Sequence, residues 1–162
     1  MKLTTTINGV GRTLEVAPRA LLIDVLRDAG YRSVKRGCET GDCGACAVLV
    51  DGVPYASCVV FAGQVEGRAV TTVEGLGTVD RPHPLMEAMV DAGAVQCGFC
   101  TPGMILSAKA LLDENPSPTA AEVRDALDGH LCRCTGYVKQ IEAVLDAAAR
   151  LREGRAAKEG AR

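Results

Sequence analysis

Tryptophan is missing from this chain, and aromatic residues of all kinds make up only 3% of it. A core without large rings has to be assembled from Val, Leu, Ile and Ala, and a small aliphatic core often needs a staple. Histidine is nearly as scarce, with His83 and His130 the two examples. No apolar run is long enough to span a bilayer, and no internal repeat is visible. A net charge of −2, with no basic block before the last residues, argues against nucleic acid as a partner. The opening stretch, MKLTTTINGVGRTLEV, has neither a charged head followed by an apolar segment nor a twin-arginine pair, so the expected location is the cytoplasm.

Cysteine, by contrast, is abundant: eight in 162 residues. In a reducing compartment disulfides are disfavoured, which leaves metal binding or redox chemistry as the leading use. The remaining composition, 48% hydrophobic and 23% charged, is that of a folded globular chain.

The first fifteen residues alternate around Asn8-Gly9 as a hairpin, with Leu3, Thr5 and Ile7 on one face. Pro18 opens a helical pattern, PRALLIDVLRDAG, that Gly30 ends. A glycine- and cysteine-rich loop over 36–46 leads into a second hairpin, AVLV and VPYASC around Asp51-Gly52, and a short strand is expected near Ala69–Val73. These make a small α+β unit over residues 1–76. Residues 77–84 read as a linker. Residues 85–150 read as four helices in a bundle, and 151–162 as a solvated tail. Within the bundle, Thr101 is the expected cap with Pro102 at the first position. Met104, Ile105, Ala108, Leu111 and Leu112 are expected on one side, and Thr119 and Glu122 form a capping box. Thr135 is the expected start of the last helix. Met86, Met89 and Met104 read as core filling.

The cysteines divide four and four. Cys38-x4-Cys43-x2-Cys46, followed by Cys58, has the opening spacing of plant-type [2Fe–2S] ferredoxins. Gly37, Gly41 and Gly44 suit a loop that needs positive φ and close approach of backbone N–H groups to sulfur. Cys97-x2-Cys100 and Cys132-x-Cys134 form the second set, each pair just ahead of a helix N-terminus. Helix N-termini favour the negative charge of a four-thiolate cluster. The close pair, Cys132 and Cys134, is expected on one iron, with Cys97 and Cys100 on the other. Four thiolates also suit zinc, and that alternative stays open, more for the second set than for the first. A Rieske centre needs two histidines beside two cysteines, whereas four cysteines complete each set here, so both histidines read as structural.

Taken in order, GCETGDCGAC, SC, QCGFCTPG and LCRCTGY resemble the small iron–sulfur subunit of the molybdenum hydroxylases, the xanthine dehydrogenase or xanthine oxidase family, over about residues 1–150. The resemblance implies a β-grasp, plant-type ferredoxin-like domain followed by a helical domain, each with one [2Fe–2S] cluster. It implies a molybdopterin cofactor on a large subunit, FAD on a medium subunit and a dimer of heterotrimers. Electrons would pass from molybdenum through the second cluster, then the first, to FAD. It also implies that Gln96 hydrogen-bonds the pterin and that the Cys134 sulfur approaches the pterin amino group. Phe99 reads as excluding water from the cluster, and Arg133 and Tyr137 as partner contacts or local packing. No catalytic residue and no substrate site is expected on this chain. The motifs tilt the substrate towards purines or other N-heteroarenes, with aldehydes, carbon monoxide and 4-hydroxybenzoyl-CoA still open. The alternative is a free-standing ferredoxin-like carrier or a two-site metal-binding module.

Overall fold

The computed structural model of the chain describes residues 1–160. Strands β1 (Lys2–Ile7) and β2 (Val10–Glu15) form the expected hairpin, with Asn8 at φ 51 and Gly9 at φ 78 in the turn. Helix α1 covers Leu22–Asp28. Strands β3 (Ala47–Val50) and β4 (Val53–Ala56) form the second hairpin, and β5 (Ala69–Thr71) completes a sheet of order β2-β1-β5-β3-β4. Only β1 and β5 run parallel. Alternation of Leu3, Thr5 and Ile7 puts all three inside, against Leu22, Ile23 and Leu26 of α1 and Val48, Val50 and Val70 of the sheet.

Helix α1 starts four residues later than the Pro18 pattern suggests. Backbone bonds from Ala62 N to Ala20 O and from Leu22 N to Val60 O, both 2.8 Å, hold the chain around Leu21 extended along the segment after β4. Tertiary pairing there overrides a local helix preference.

Four helices follow: α2 (Pro84–Asp91), α3 (Thr101–Glu114), α4 (Ala120–Leu127) and α5 (Val138–Gly160). His83 caps α2, its Nδ1 accepting from Leu85 N at 3.2 Å, and the Thr119–Glu122 capping box starts α4. Met89 and Met104 lie in the helical core with Leu85, Val123 and Val144, and Met86 packs against it. Thr101 turns out not to be a cap. It lies inside α3, whose N-cap is Cys100, with no side chain bonding the free N–H groups. Nor is α3 apolar on one side only. Gly103–Ala108, Ala110 and Leu112 are buried almost all round, because the helix lies between its own bundle and the sheet, where Leu106 and Ala110 meet Leu49 of β3.

The last helix begins at Val138 rather than Thr135. Gly136 and Tyr137 both take left-handed backbone, φ 74 and 70, which an α-helix cannot include. The stretch read as a solvated tail continues α5 through Gly160, while Ala161 and Arg162 lie outside the described residues.

Candidate metal centres

The first quartet lies on one loop and the turn after β4. Cys46 and Cys58 are buried, and Cys38 and Cys43 are half-buried above them. Gly41 and Gly44 have φ of 90 and 70, the region where a side chain is strained. Gly37 serves close approach instead: a Cβ there would stand 2.6 Å from Cys43 Sγ. The loop turns its amides inward, so Thr40 N and Cys43 N each donate to Cys38 Sγ at 3.4 Å, and Cys38 N donates to Cys43 Sγ at 3.4 Å. The Thr40 hydroxyl, the Thr40 N–H and the Cys43 N–H together pull the Cys38 thiol down to about 6. Burial, with the Cys46 thiol beside it, pushes Cys58 up to about 11.

The second quartet is assembled from two segments. Cys97 and Cys134 are exposed, their sulfurs 3.6 Å apart. Cys100 is buried next to Cys132, and that burial, with the Cys132 thiol, raises it to about 11. Burial also raises Cys132. The Thr135 hydroxyl, the N–H groups of Cys134 and Thr135, and the Cys100 thiol outweigh this and leave it at about 7. The expected iron pairing joins Cys132 with Cys134 and Cys97 with Cys100; the thiol contacts run the other way. The thiols in contact lie across the two segments, Cys97 with Cys134 and Cys100 with Cys132.

The first quartet's thiols touch in the same two-and-two way, Cys38 with Cys43 and Cys46 with Cys58. A single tetrahedral ion with metal–sulfur bonds of about 2.3 Å holds each pair of its sulfurs roughly 3.8 Å apart, so all four must converge. Among the described residues no three Cys, His, Asp or Glu side chains do so. Two thiols near that distance, facing a second such pair, fit a cluster of two irons bridged by sulfide, in which each iron takes two thiolates.

The two centres meet at α3. Leu131 N donates to Cys43 O at 3.0 Å, so one hydrogen bond joins the backbones of the two quartets. His130, 5% exposed, bonds Ser107 of α3 through Nε2 at 2.7 Å, and burial keeps the ring neutral, with a pKa of about 4. A Cβ on Gly44 would stand 2.3 Å from His130 Nδ1, and one on Gly103 would stand 2.3 Å from Gly44 O. Nothing larger than hydrogen fits at either place.

Matches to the 2Fe-2S iron-sulfur cluster binding domain family over residues 5–72, and to the [2Fe-2S] binding domain family over 72–145, agree with this geometry. The nicotinate dehydrogenase small FeS subunit of Eubacterium barkeri is 50% identical over 134 residues, covering 82% of this chain and 85% of the relative. The chain belongs to the small iron–sulfur subunits of the molybdenum hydroxylases. This small subunit carries two [2Fe–2S] clusters, one in each domain. Its fold is that of quinoline 2-oxidoreductase from Pseudomonas putida 86, with TM-score 0.90 and 44% identity over 95% of this chain and 97% of the solved one. It is also that of the aldehyde oxidoreductase from Desulfovibrio desulfuricans, with TM-score 0.91 and 51% identity over 94% of this chain. This chain spans only 17% of the length of that enzyme.

The iron–sulfur subunit also has residues around its clusters with roles that pattern reading missed. Gln96 is exposed and donates to Cys134 O at 3.2 Å, which ties the two ligand segments together. Tyr137 folds back so that its hydroxyl accepts from Cys132 N at 2.8 Å. Phe99 is 44% exposed, on the surface beside the cysteines. Gln140 is buried under the same turn, and one signal could have found it: it sits four and seven residues before Val144 and Ala147, a polar side chain in the apolar stripe.

Proposed function

We propose that this chain relays single electrons between a molybdopterin cofactor on a large subunit and FAD on a medium subunit of a hetero-oligomeric oxidoreductase. Cys38, Cys43, Cys46 and Cys58 hold one [2Fe–2S] cluster, and Cys97, Cys100, Cys132 and Cys134 hold the other. When bound, each cluster takes up and gives back one electron. The protein's own part is to hold the ligands still, aim N–H groups at sulfur and limit water. The observation that carries the reading is the asymmetry of the second quartet. Cys97 and Cys134 are exposed beside Gln96, while Cys100 and Cys132 sit behind them, next to the Leu131–Cys43 bond. An electron entering at the open edge thus has a short path, largely through bonds, to the first quartet.

Gln96 and the Cys134 sulfur are the pterin contacts in this reading. Gln96 spends one amide proton on Cys134 O and keeps its side-chain oxygen for a pterin N–H. The units are residues 1–76 and 85–150, the assembly is a dimer of heterotrimers and the location is the cytoplasm. The substrate class is an N-heteroarene, a reading supported by relatives named for nicotinate and quinoline and tempered by one named for aldehydes. The test is reduction of the isolated complex by dithionite under argon. Two distinct [2Fe–2S] EPR signals are expected, and Cys134→Ser should remove the second and keep the first. Turnover with an N-heteroarene at the wild-type rate in that variant would refute the relay.

A further inference from the structure

Gln140 lies in the first turn of α5, 1% exposed, beneath the second quartet. Its Nε2 donates to Ala94 O at 3.1 Å, on the segment leading to Cys97, and to the hydroxyl oxygen of Thr135. The same nitrogen stands 4.0 Å from Cys132 Sγ, and Thr135 Oγ1 stands 3.1 Å from that sulfur. An amide nitrogen has two protons, so Ala94 takes one and Thr135 the other. A hydroxyl that accepts an N–H keeps its own proton free, and the sulfur is the acceptor within reach. The Thr135 O–H therefore points at Cys132, polarised by the amide behind it. Gln140 Oε1 meanwhile has no partner in its buried place. An aliphatic side chain would fill this position in the stripe of Val144 and Ala147 without burying an unpaired oxygen.

We infer that Gln140 is a tuning residue of the second cluster, its amide raising that cluster's reduction potential through the Thr135 hydroxyl and Cys132 Sγ. The inference rests on the proposed assignment of Cys132 as a cluster ligand. Reduction adds one negative charge that the ligand sulfurs share, and donors aimed at a sulfur stabilise the reduced form more than the oxidised one. The first quartet has backbone N–H groups in this role, from Thr40 and Cys43. Cys132 likewise has the N–H groups of Cys134 and Thr135 beside its sulfur, and the side-chain relay adds a further donor to them.

The test is a potentiometric EPR titration of the intact complex with Gln140→Leu and Gln140→Met, dithionite supplying one electron to each cluster and no proton moving. Met keeps the length of the side chain and removes every N–H, so it covers the case in which Leu disturbs the turn. At the wild-type midpoint the reduced-to-oxidised ratio of the second cluster should fall about tenfold, equal to about 59 mV for one electron. The first cluster's midpoint and the iron content should stay unchanged. Thr135→Val should give most of the same shift, and adding Gln140→Met to it should change little more. An unmoved second midpoint with both signals present, or two midpoints that move together, overturns the tuning role. A wild-type complex lacking the second signal overturns the ligand assignment beneath it.

Discussion

The two quartets solve one problem in opposite ways. The first is wrapped by one loop that carries three of its cysteines and whose glycines turn amides onto sulfur. Cys58 joins from the turn after β4, and the inner pair, Cys46 and Cys58, is buried. The second is clasped between two segments more than thirty residues apart, with the N–H groups of Cys134 and Thr135 and nearby side chains as donors and one pair of thiols open to solvent. A loop closes on its own thiols, whereas a clasp keeps an edge. The difference teaches direction. Backbone N–H groups and the Thr40 hydroxyl face the closed centre, and in the proposed relay the open edge is where electrons enter.

The contrast is broken most completely by removing one inner ligand. Cys58→Ala should lose the first cluster and Cys100→Ala the second. Each should lower iron from about four to about two atoms per chain while the other EPR signal persists. If both clusters vanish from either variant, the centres are not independent sites.

Thiol reactivity sharpens it next. In the metal-free chain near pH 7, Cys38, with a pKa of about 6, should alkylate first and Cys132, at about 7, after it. Cys58 and Cys100, at about 11, should resist by orders of magnitude. Raising the pH from 6 to 8 ionises Cys132 progressively and should speed its labelling about tenfold, while Cys38, already about half thiolate at pH 6, gains only about twofold. Peptide mapping by mass spectrometry reads the order, and equal rates at all four would contradict the environments described.

A smaller effect is expected at the joint between the centres. Gly44→Ala puts a methyl group 2.3 Å from His130 Nδ1 at a backbone angle that alanine tolerates poorly. It should cost about 3 kcal/mol in thermal or denaturant unfolding, and it should weaken the magnetic interaction between the reduced clusters. Ser107→Ala is the mildest. Losing the bond to His130 Nε2 should cost about 1 kcal/mol and leave both signals in place.

Much of this was readable in advance because it is local. The x4, x2 spacing, the Asn8-Gly9 and Asp51-Gly52 turns and the Thr119 capping box each depend on neighbours within a few residues. The misreadings share a physical cause. Helix α1 starts later than its local pattern because Ala20 and Leu22 bond to Ala62 and Val60, far along the chain. The faces of α3 were misjudged because a sheet from the other domain covers what would be its solvent side. The glycine at 44 was understood for its φ, but the imidazole 86 positions later that also forbids a side chain there could not be seen.

What the amino-acid order determined by itself was the chemistry: eight thiols in two sets, the turns that gather them and the helices behind the second set. What only the tertiary structure decided was pairing and proximity. It set which sulfurs face each other across the clasp, how one backbone hydrogen bond joins the two centres, and which polar side chains are trapped beneath a ligand. Spacing along a chain constrains what one turn can reach, but separate segments are brought together by burial of apolar surface, which is non-directional and leaves no local mark in the order of residues.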